Sequence, residues 1–234
     1  MVQGGGKAAG RAEKPARSGV QTGYRKGDET RGRILGAALE AFGDAGFRAV
    51  TTRQIAQRAG VSLPALQYYF GDKEGLYRAC AEAIVERIGQ ATADVAAAAV
   101  AALRANCGRE TAREHLRLVL GSLAAFLAGS GQAERWAQFV AGELQDPGPA
   151  FEILYARLWR PGAELTAGLI ARMTGRDASE PAVRLKAQLL ISTLLAFQSG
   201  RKQITLRTLG WSKIGEEELA MIIAALNAQI DAIA

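Results

Sequence analysis

Apolar residues recur at helical spacing along most of the chain, with polar or small residues between them. Within residues 28–45, for example, Ile34, Leu35, Ala38 and Phe42 fall on one side of a 3.6-residue repeat. We therefore predict an all-α fold. Beyond the first 100 residues, the stripes predict helices over residues 110–127, 133–144, 150–174 (kinked at Pro161), 181–199 and 216–234.

One stretch, TRQIAQRAGVSLPALQYYFGDK, predicts two short helices followed by a long one. Thr51 or Thr52 can cap the first short helix, and Ser62 can cap the second. Gly60 between them permits the left-handed backbone of a tight turn. Asp72 can cap the long helix, which should end between residues 90 and 103. This arrangement is typical of a helix-turn-helix, a motif that places its second helix in the DNA major groove.

The apolar pattern also predicts which side of the second short helix is free. Leu66, Tyr69 and Phe70 are expected to face the core, although Tyr69 could instead contact DNA. Pro64 is tolerated because the first turn of a helix has unpaired N–H groups in any case. The side chains expected to face outward are Leu63, Pro64, Gln67 and Tyr68.

The net charge of the chain is only weak evidence for DNA binding. The chain carries a net charge of +6, but residues 1–26 alone account for +5, so the rest is close to neutral. Residues 1–26 lack hydrophobic periodicity, and we predict a disordered basic arm. The arm is either a solvated tail or a source of non-specific phosphate attraction, including entry into a minor groove.

Other function classes find little support in the sequence. Cys80 and Cys107 form no disulfide framework and are predicted to be buried apolar residues, with a redox switch as the alternative. His115, the only histidine, has no partner at catalytic or metal-ligand spacing. We therefore predict no enzyme activity, no cofactor and no metal. No apolar run is long enough for a membrane span and no secretory signal is evident, so we predict a cytoplasmic protein.

The segment from Ile34 to Tyr77 resembles the DNA-binding domain of the TetR family of transcriptional regulators. The resemblance rests on a set of residues in one unbroken register: Ala37-Ala38, Phe42, Gly46, Thr51-Thr52, Ile55-Ala56, Ala59-Gly60-Val61-Ser62, Leu66, Tyr69-Phe70 and Lys73. The sequence departs from the usual pattern at Leu63-Pro64, where Lys-Gly is common, and at Gln67, where Tyr is common. These outward positions bear on which DNA sequence is read.

The resemblance implies that some of these residues read bases and that others bind the phosphate backbone. Gln67 can pair with adenine, and Leu63 and Pro64 can meet thymine methyl groups. The predicted DNA-binding residues are Thr52, Arg53, Ser62, Leu63, Pro64, Gln67, Tyr68 and Lys73, with Thr52, Arg53 and Lys73 holding the phosphate backbone. Ser62 could be only a cap, and Arg48 and Arg58 are expected to be solvated.

The C-terminal segment FQSGRKQITLRTLGWSKIGEEE resembles the CecR/YbiH-type subgroup of that family. We read residues 201–214 within it as a connection between helices. The resemblance implies a helix-turn-helix domain at residues 27–76 and an effector-binding and dimerisation domain at residues 77–234.

Implied partners are a double-stranded operator, a small-molecule effector and a second copy of the chain. The apolar helices at residues 181–199 and 216–233 are expected to form the homodimer, unless they only complete the monomer core. The candidate effector-binding residues, each of which could instead be core, are Phe126, Trp136, Phe139, Glu143, Tyr155 and Trp159. The function predicted is a ligand-responsive repressor; the alternative is a DNA-binding protein controlled by a partner or acting architecturally.

Overall fold

The computed structural model describes residue 1 and residues 19–129, 131–197 and 201–233. Every regular element within these ranges is a helix, which confirms the predicted all-α fold. The first four helices contain the reading head, a name we use for the unit formed by α1–α3 and the start of α4. They are α1 (Gly19–Ala49), α2 (Thr52–Ala59), α3 (Leu63–Phe70) and α4 (Lys73–Arg104).

The remaining helices form the body together with the rest of α4. A π-helical turn (Tyr155–Trp159) links α7 to α8, and a 3₁₀ turn (Leu194–Phe197) follows α9. The body helices are α5 (Arg109–Gly129), α6 (Gly131–Gln145), α7 (Phe151–Leu154), α8 (Arg160–Thr174), α9 (Pro181–Thr193), α10 (Arg201–Leu209) and α11 (Glu216–Asp231).

Local capping fixes the starts of α2 and α3 in the reading head. Thr51 and Gln54 form a reciprocal capping box at α2, in which the Thr51 hydroxyl accepts from the Gln54 N–H at 3.3 Å. Ser62 caps α3 by accepting from the Ala65 N–H, also at 3.3 Å. Gly60 has φ 63° and ψ 39°, the left-handed conformation that the turn between α2 and α3 requires. These positions agree with the sequence-based expectations.

Two hydrophobic cores hold the chain together, and the first does not end at the predicted boundary of residue 76. Helix α4 runs unbroken through that position. The reading-head core continues along α4 to Ile88 and takes in Trp136 and Phe139 from α6 and Leu154 from α7. The second core joins α5, α8, α9 and α11 with the far end of α4. Helix α6 is therefore packed on the reading head.

The N-terminal helix is longer than predicted. It begins at Gly19, so residues 19–26 are helical and the prediction of a disordered arm over residues 1–26 is wrong for that part. The arm residues 2–18 lie outside the described residues. At the other end, the helical pattern is interrupted at Gly46, which has φ 77°, and then resumes to Ala49.

Two further differences concern the C-terminal half. A π-helical turn lies just before Pro161, where the sequence predicted a kink, and in this turn the Arg160 N–H bonds to the Tyr155 carbonyl. A wider turn accommodates a proline ring that would clash with the carbonyl four residues earlier. The predicted connection at residues 201–214 is mostly helix α10, because Leu206 is buried and anchors it.

The two cysteines lie in different environments. Cys80 is fully buried in α4, and burial raises the pKa of its thiol well above the usual range, so the neutral form persists. Cys107 is half-buried in the α4–α5 loop, and both are free thiols. No helix in the described part of the chain is both long enough and apolar enough to cross a membrane.

Candidate nucleic-acid interface

Helix α3 presents a solvent-facing surface made largely of the residues predicted to face outward. Tyr68 is 85% exposed, and Pro64 and Gln67 are also exposed. Leu63 is half-buried at the first position of the helix. These side chains occupy one side of an eight-residue helix, a size that fits a major groove.

The opposite side of α3 is anchored in the reading-head core. Leu66 is fully buried and Phe70 is 9% exposed, which fixes the rotation of the helix about its axis. Tyr69 is half-buried and stacks edge-on against Tyr68, with ring centroids 5.3 Å apart. A short helix held in this way presents its outer side chains in a defined register.

The predicted phosphate contacts lie around the ends of these helices. Thr52 and Arg53 open α2, where Arg53 is exposed and Thr52 is half-buried. Ser62 is exposed at the start of α3, although its hydroxyl already accepts the capping bond. Helix N-termini offer free N–H groups and a partial positive charge, both of which favour phosphate.

Lys73 has contacts within the protein that the sequence did not predict. Its Nζ donates to the Arg48 carbonyl at 3.4 Å and lies 4.7 Å from the centre of the Phe47 ring. The side chain is half-buried and packs against the end of α1. An ammonium group has three donors, so these contacts leave capacity for a phosphate.

Two arginines on α1 also lie beside this surface, and sequence reasoning missed both. The Arg31 guanidinium lies 5.5 Å from the centre of the Phe70 ring, and a Cβ built on Gly60 would lie 3.9 Å from Nη1 of Arg33. Both residues are exposed. They lie near the helix-turn-helix only because α1 packs beside it, and local sequence patterns do not reveal that packing.

Three of the candidate effector-binding residues pack at the junction between α6 and its neighbours. Phe139 is 2% exposed and Trp136 is 7% exposed, and both belong to the core shared with α1 and α4. The Phe126 ring from α5 stacks on the Trp136 ring at 6.0 Å. In this conformation these aromatic residues fill the interior.

Glu143 has protein partners for both carboxylate oxygens. Its side chain is 1% exposed, and it is the one buried charged residue among those whose burial the structure describes. Oε1 accepts from the Tyr77 hydroxyl at 2.7 Å, and Oε2 accepts from the Gly148 N–H at 3.1 Å. Burial, strengthened by the bond to Glu143, raises the pKa of Tyr77 and keeps its phenol a neutral donor.

The last two candidates lie on the π-helical turn. The Tyr155 ring is parallel to that of Phe151 with centroids 6.2 Å apart, and the Trp159 ring meets Phe151 edge-on at 5.6 Å. Tyr155 is 44% exposed. This second aromatic group is separate along the chain from the Phe126–Trp136 stack.

An open groove of 670 Å³ lies elsewhere in the body, where α4, α5 and α11 meet, and none of the six candidates lines it. Arg117 donates to Asp231 across the groove and to Glu114 on its own helix at 3.2 Å. The pKa of Arg117 is raised by these carboxylates, Asp231 first. The Arg117–Asp231 pair links α11 to α5.

The helices predicted to form the dimer present apolar side chains on two faces. On α9, Val183, Ala187 and Leu190 face the body core, whereas Leu185 and Leu189 are each 59% exposed. Helix α11 likewise buries Ile222, Leu226 and Ile230 and leaves Met221 50% exposed. The monomer core therefore accounts for only one apolar face of each helix.

Comparison with protein families gives two matches that together cover most of the chain. Residues 34–80 match the family described as bacterial regulatory proteins, tetR family. Residues 112–234 match the C-terminal domain of the HTH-type transcriptional dual regulator CecR.

Individual relatives and solved structures agree with these matches. The chain is 32% identical to the dual regulator CecR of Shigella flexneri, over 89% of this chain and 92% of that protein. It is 28% identical to the regulator BetI of Cronobacter sakazakii, over 70% and 75%. A TetR-like regulator from Rhodococcus sp. RHA1 superposes with a TM-score of 0.57 at 23% identity, covering 86% and 94%. FadR of Bacillus subtilis, solved with stearoyl-CoA, gives 0.55 at 19% identity, covering 87% and 99%.

Proposed function

The chain belongs to the TetR family of bacterial transcriptional regulators and carries a CecR-type C-terminal domain, and from this premise we propose how it works. We propose that it is a repressor that binds a palindromic operator as a homodimer, and that a small-molecule effector changes its affinity for DNA. The observation that carries the proposal is the outer face of α3.

Direct base reading is assigned to that face. The Gln67 amide can donate to and accept from the adenine edge in the major groove. Pro64 and the half-buried Leu63 at the start of α3 suit thymine methyl groups. Tyr68, which is 85% exposed, suits a phosphate or a sugar. With no cation on the outer face of α3, specificity rests on one amide and several apolar contacts.

Phosphate contacts hold the reading head in register on the duplex. We assign them to Thr52, Arg53 and Ser62 at the starts of α2 and α3 and to Lys73 at the start of α4. The exposed arginines Arg31 and Arg33 extend this set along α1. Such contacts supply affinity that falls with salt but is nearly independent of sequence.

The homodimer brings two reading heads to the same face of DNA. Residues 181–199 and 216–233 are proposed to pair with their copies as a four-helix bundle. Support comes from the exposed Leu185, Leu189 and Met221, which lie opposite the apolar residues that pack into the monomer. Two half-sites one helical turn apart would then be bound together.

Effector control is proposed to act through the junction where α6 packs on the reading head. A ligand that enters between Phe126, Trp136 and Phe139 has to move α6, because these side chains fill the space. Glu143 would offer it a carboxylate, and Tyr155 and Trp159 a second aromatic surface. FadR shows that this fold can hold a small molecule, stearoyl-CoA in that case. A ligand with different affinities for two conformations shifts the population between them.

DNA binding by the purified full-length protein tests the proposal. Sequences selected from a random pool should contain an inverted repeat, and affinity for them should fall steeply as salt rises. Reporter expression from a promoter bearing that repeat should decrease when the protein is present. A protein that enriches no sequence would refute the DNA-reading proposal, and an affinity that no compound library changes would favour the alternative without small-molecule control.

A further inference from the structure

The Tyr77 side chain is the meeting point of the reading head and the body. Its ring contacts Phe42 and Phe47 at the end of α1, with centroids 4.8 and 4.7 Å away. The same ring contacts Phe139 of α6 at 4.6 Å. Tyr77 itself lies on α4, the continuous helix that connects the two parts. Three helices are therefore packed around one aromatic ring.

The hydrophobic effect is non-directional, so burial of these rings fixes the relative positions of the helices less sharply than a hydrogen bond does. The bond from the Tyr77 hydroxyl to Glu143 adds direction. A carboxylate buried to this degree must keep its donors, since leaving a buried acceptor unpaired carries the full desolvation penalty. Any displacement of α6 along the reading head would separate Glu143 from Tyr77.

The loop after α6 holds the carboxylate from its other side. The Gly148 N–H donates to Oε2, and a Cβ built on Gly148 would lie only 2.7 Å from Oε1. Glu143 is therefore confined between Tyr77 and the Gly148 backbone. Its position therefore depends on where α6 and the α6–α7 loop lie relative to α4.

We propose that Tyr77 and Glu143 are positioning residues, whose hydrogen bond fixes the angle of the reading head on the body and thereby the distance between the two heads of the dimer. The inference rests on the proposed DNA-binding dimer. Neither residue touches DNA in this scheme. Both act by restricting the orientations in which the outer face of α3 is presented, so that only operators with one half-site spacing are bound tightly.

The test uses full-length protein and a series of operators in which the selected half-sites are moved apart in single base-pair steps. Wild-type protein should bind one spacing best. Tyr77→Phe should keep its affinity for DNA with one half-site, but its preference for the best spacing over its neighbours should fall by about fivefold or more. Thr208→Val is the matched control, because it removes a hydroxyl whose hydrogen bond stays within its own helix, at an exposed position of α10, and it should behave as wild type.

A second variant separates positioning from simple loss of stability. Tyr77→Phe/Glu143→Met removes both members of the bond and leaves no buried carboxylate, so most of the stability lost in Tyr77→Phe should recover, with the Gly148 N–H as the one donor that loses its acceptor. The directional bond is still absent, so the broad spacing profile should remain. If the double variant regains the sharp wild-type profile, or Tyr77→Phe never loses it, the inference is overturned while the proposed function stands. Wild-type protein that binds half-sites without any spacing preference would overturn the inference together with the proposed dimer.

Discussion

The Tyr77 hydroxyl lies 2.7 Å from Oε1 of Glu143, a residue 66 positions later in the chain. The bond connects the start of α4, which belongs to the reading head, with the end of α6 in the body. It also changes the interpretation of Glu143. The sequence suggested a carboxylate facing a ligand, whereas the structure gives it two protein donors. An effector that uses Glu143 has to compete with Tyr77 and Gly148, so its binding would be coupled to the junction.

Two glycines near Glu143 provide a matched pair of substitutions. Gly148→Ala should lower the free energy of unfolding by about 1–3 kcal/mol, because its Cβ would lie 2.7 Å from the Glu143 carboxylate. Gly142 lies at an exposed position within α6, and no atom lies within 4 Å of an added Cβ. Gly142→Ala should therefore raise the free energy of unfolding by about 0.5–1 kcal/mol. Urea unfolding at one fixed protein concentration measures both. Equal effects of the two substitutions would show that the space around Glu143 is not confined.

The reading head was predictable because its signals are local. Thr51, Gly60, Ser62 and Asp72 act on groups within four residues of themselves, through caps and one left-handed turn. The periodicity then decides which side of each short helix is buried. All of this information lies within a short window of sequence. It was therefore sufficient to predict which side chains of α3 face outward.

The features that escaped prediction depend on distant parts of the chain. The role of Glu143 is set by Tyr77, and the contacts of Lys73 are set by the end of α1. Helix α10 has only a weak apolar pattern and is anchored through the burial of Leu206. The open groove in the body exists because α4 and α11 both pack on α5. Residue spacing alone cannot specify any of these relationships.

Gln67 is expected to read an adenine in each half-site. Gln67→Ala should reduce discrimination for that base pair by about 1–3 kcal/mol per half-site and leave the other positions nearly unchanged. Gln138→Ala, at an exposed position on α6, is the control and should not change discrimination. Fluorescence anisotropy with single-base operator variants measures the effect. Equal weakening on every sequence would mean that Gln67 contacts the backbone and not a base.

Lys73 is expected to contribute to both DNA binding and stability. Lys73→Ala should make the salt dependence of DNA affinity shallower by about one unit of slope for each reading head, as expected for a lost phosphate contact. It should also cost about 0.5–1 kcal/mol of stability, because the contact with the Phe47 ring is removed. Lys73→Arg should retain most of the salt slope, and Lys213→Ala, at an exposed position before α11, should change neither quantity. A loss of stability at constant slope would assign Lys73 a structural role alone.

The exposed leucines of α9 are expected to be buried between two copies of the chain. Val183, Ala187 and Leu190 form the apolar face of α9 that packs on the body. Leu189 lies outside that face and is 59% exposed. Placing a carboxylate at the centre of an apolar interface leaves it without a partner, and central interface positions commonly account for about 2 kcal/mol or more of binding energy. Leu189→Glu should therefore raise the dimer dissociation constant by about thirtyfold or more.

Leu118 on α5 offers the matched control for that substitution, since it is also a leucine with 47% of its surface exposed but lies on the groove side of the body. Leu118→Glu should remain a dimer in sedimentation velocity experiments at the concentration where Leu189→Glu sediments as a monomer. Because each reading head folds around its own core, the Leu189→Glu monomer should keep its affinity for one half-site and lose the gain from a second. A Leu189→Glu protein that still sediments as a dimer would place the dimer interface on another surface. Reduced affinity for the single half-site would instead mean that the substitution reaches the reading head through the fold.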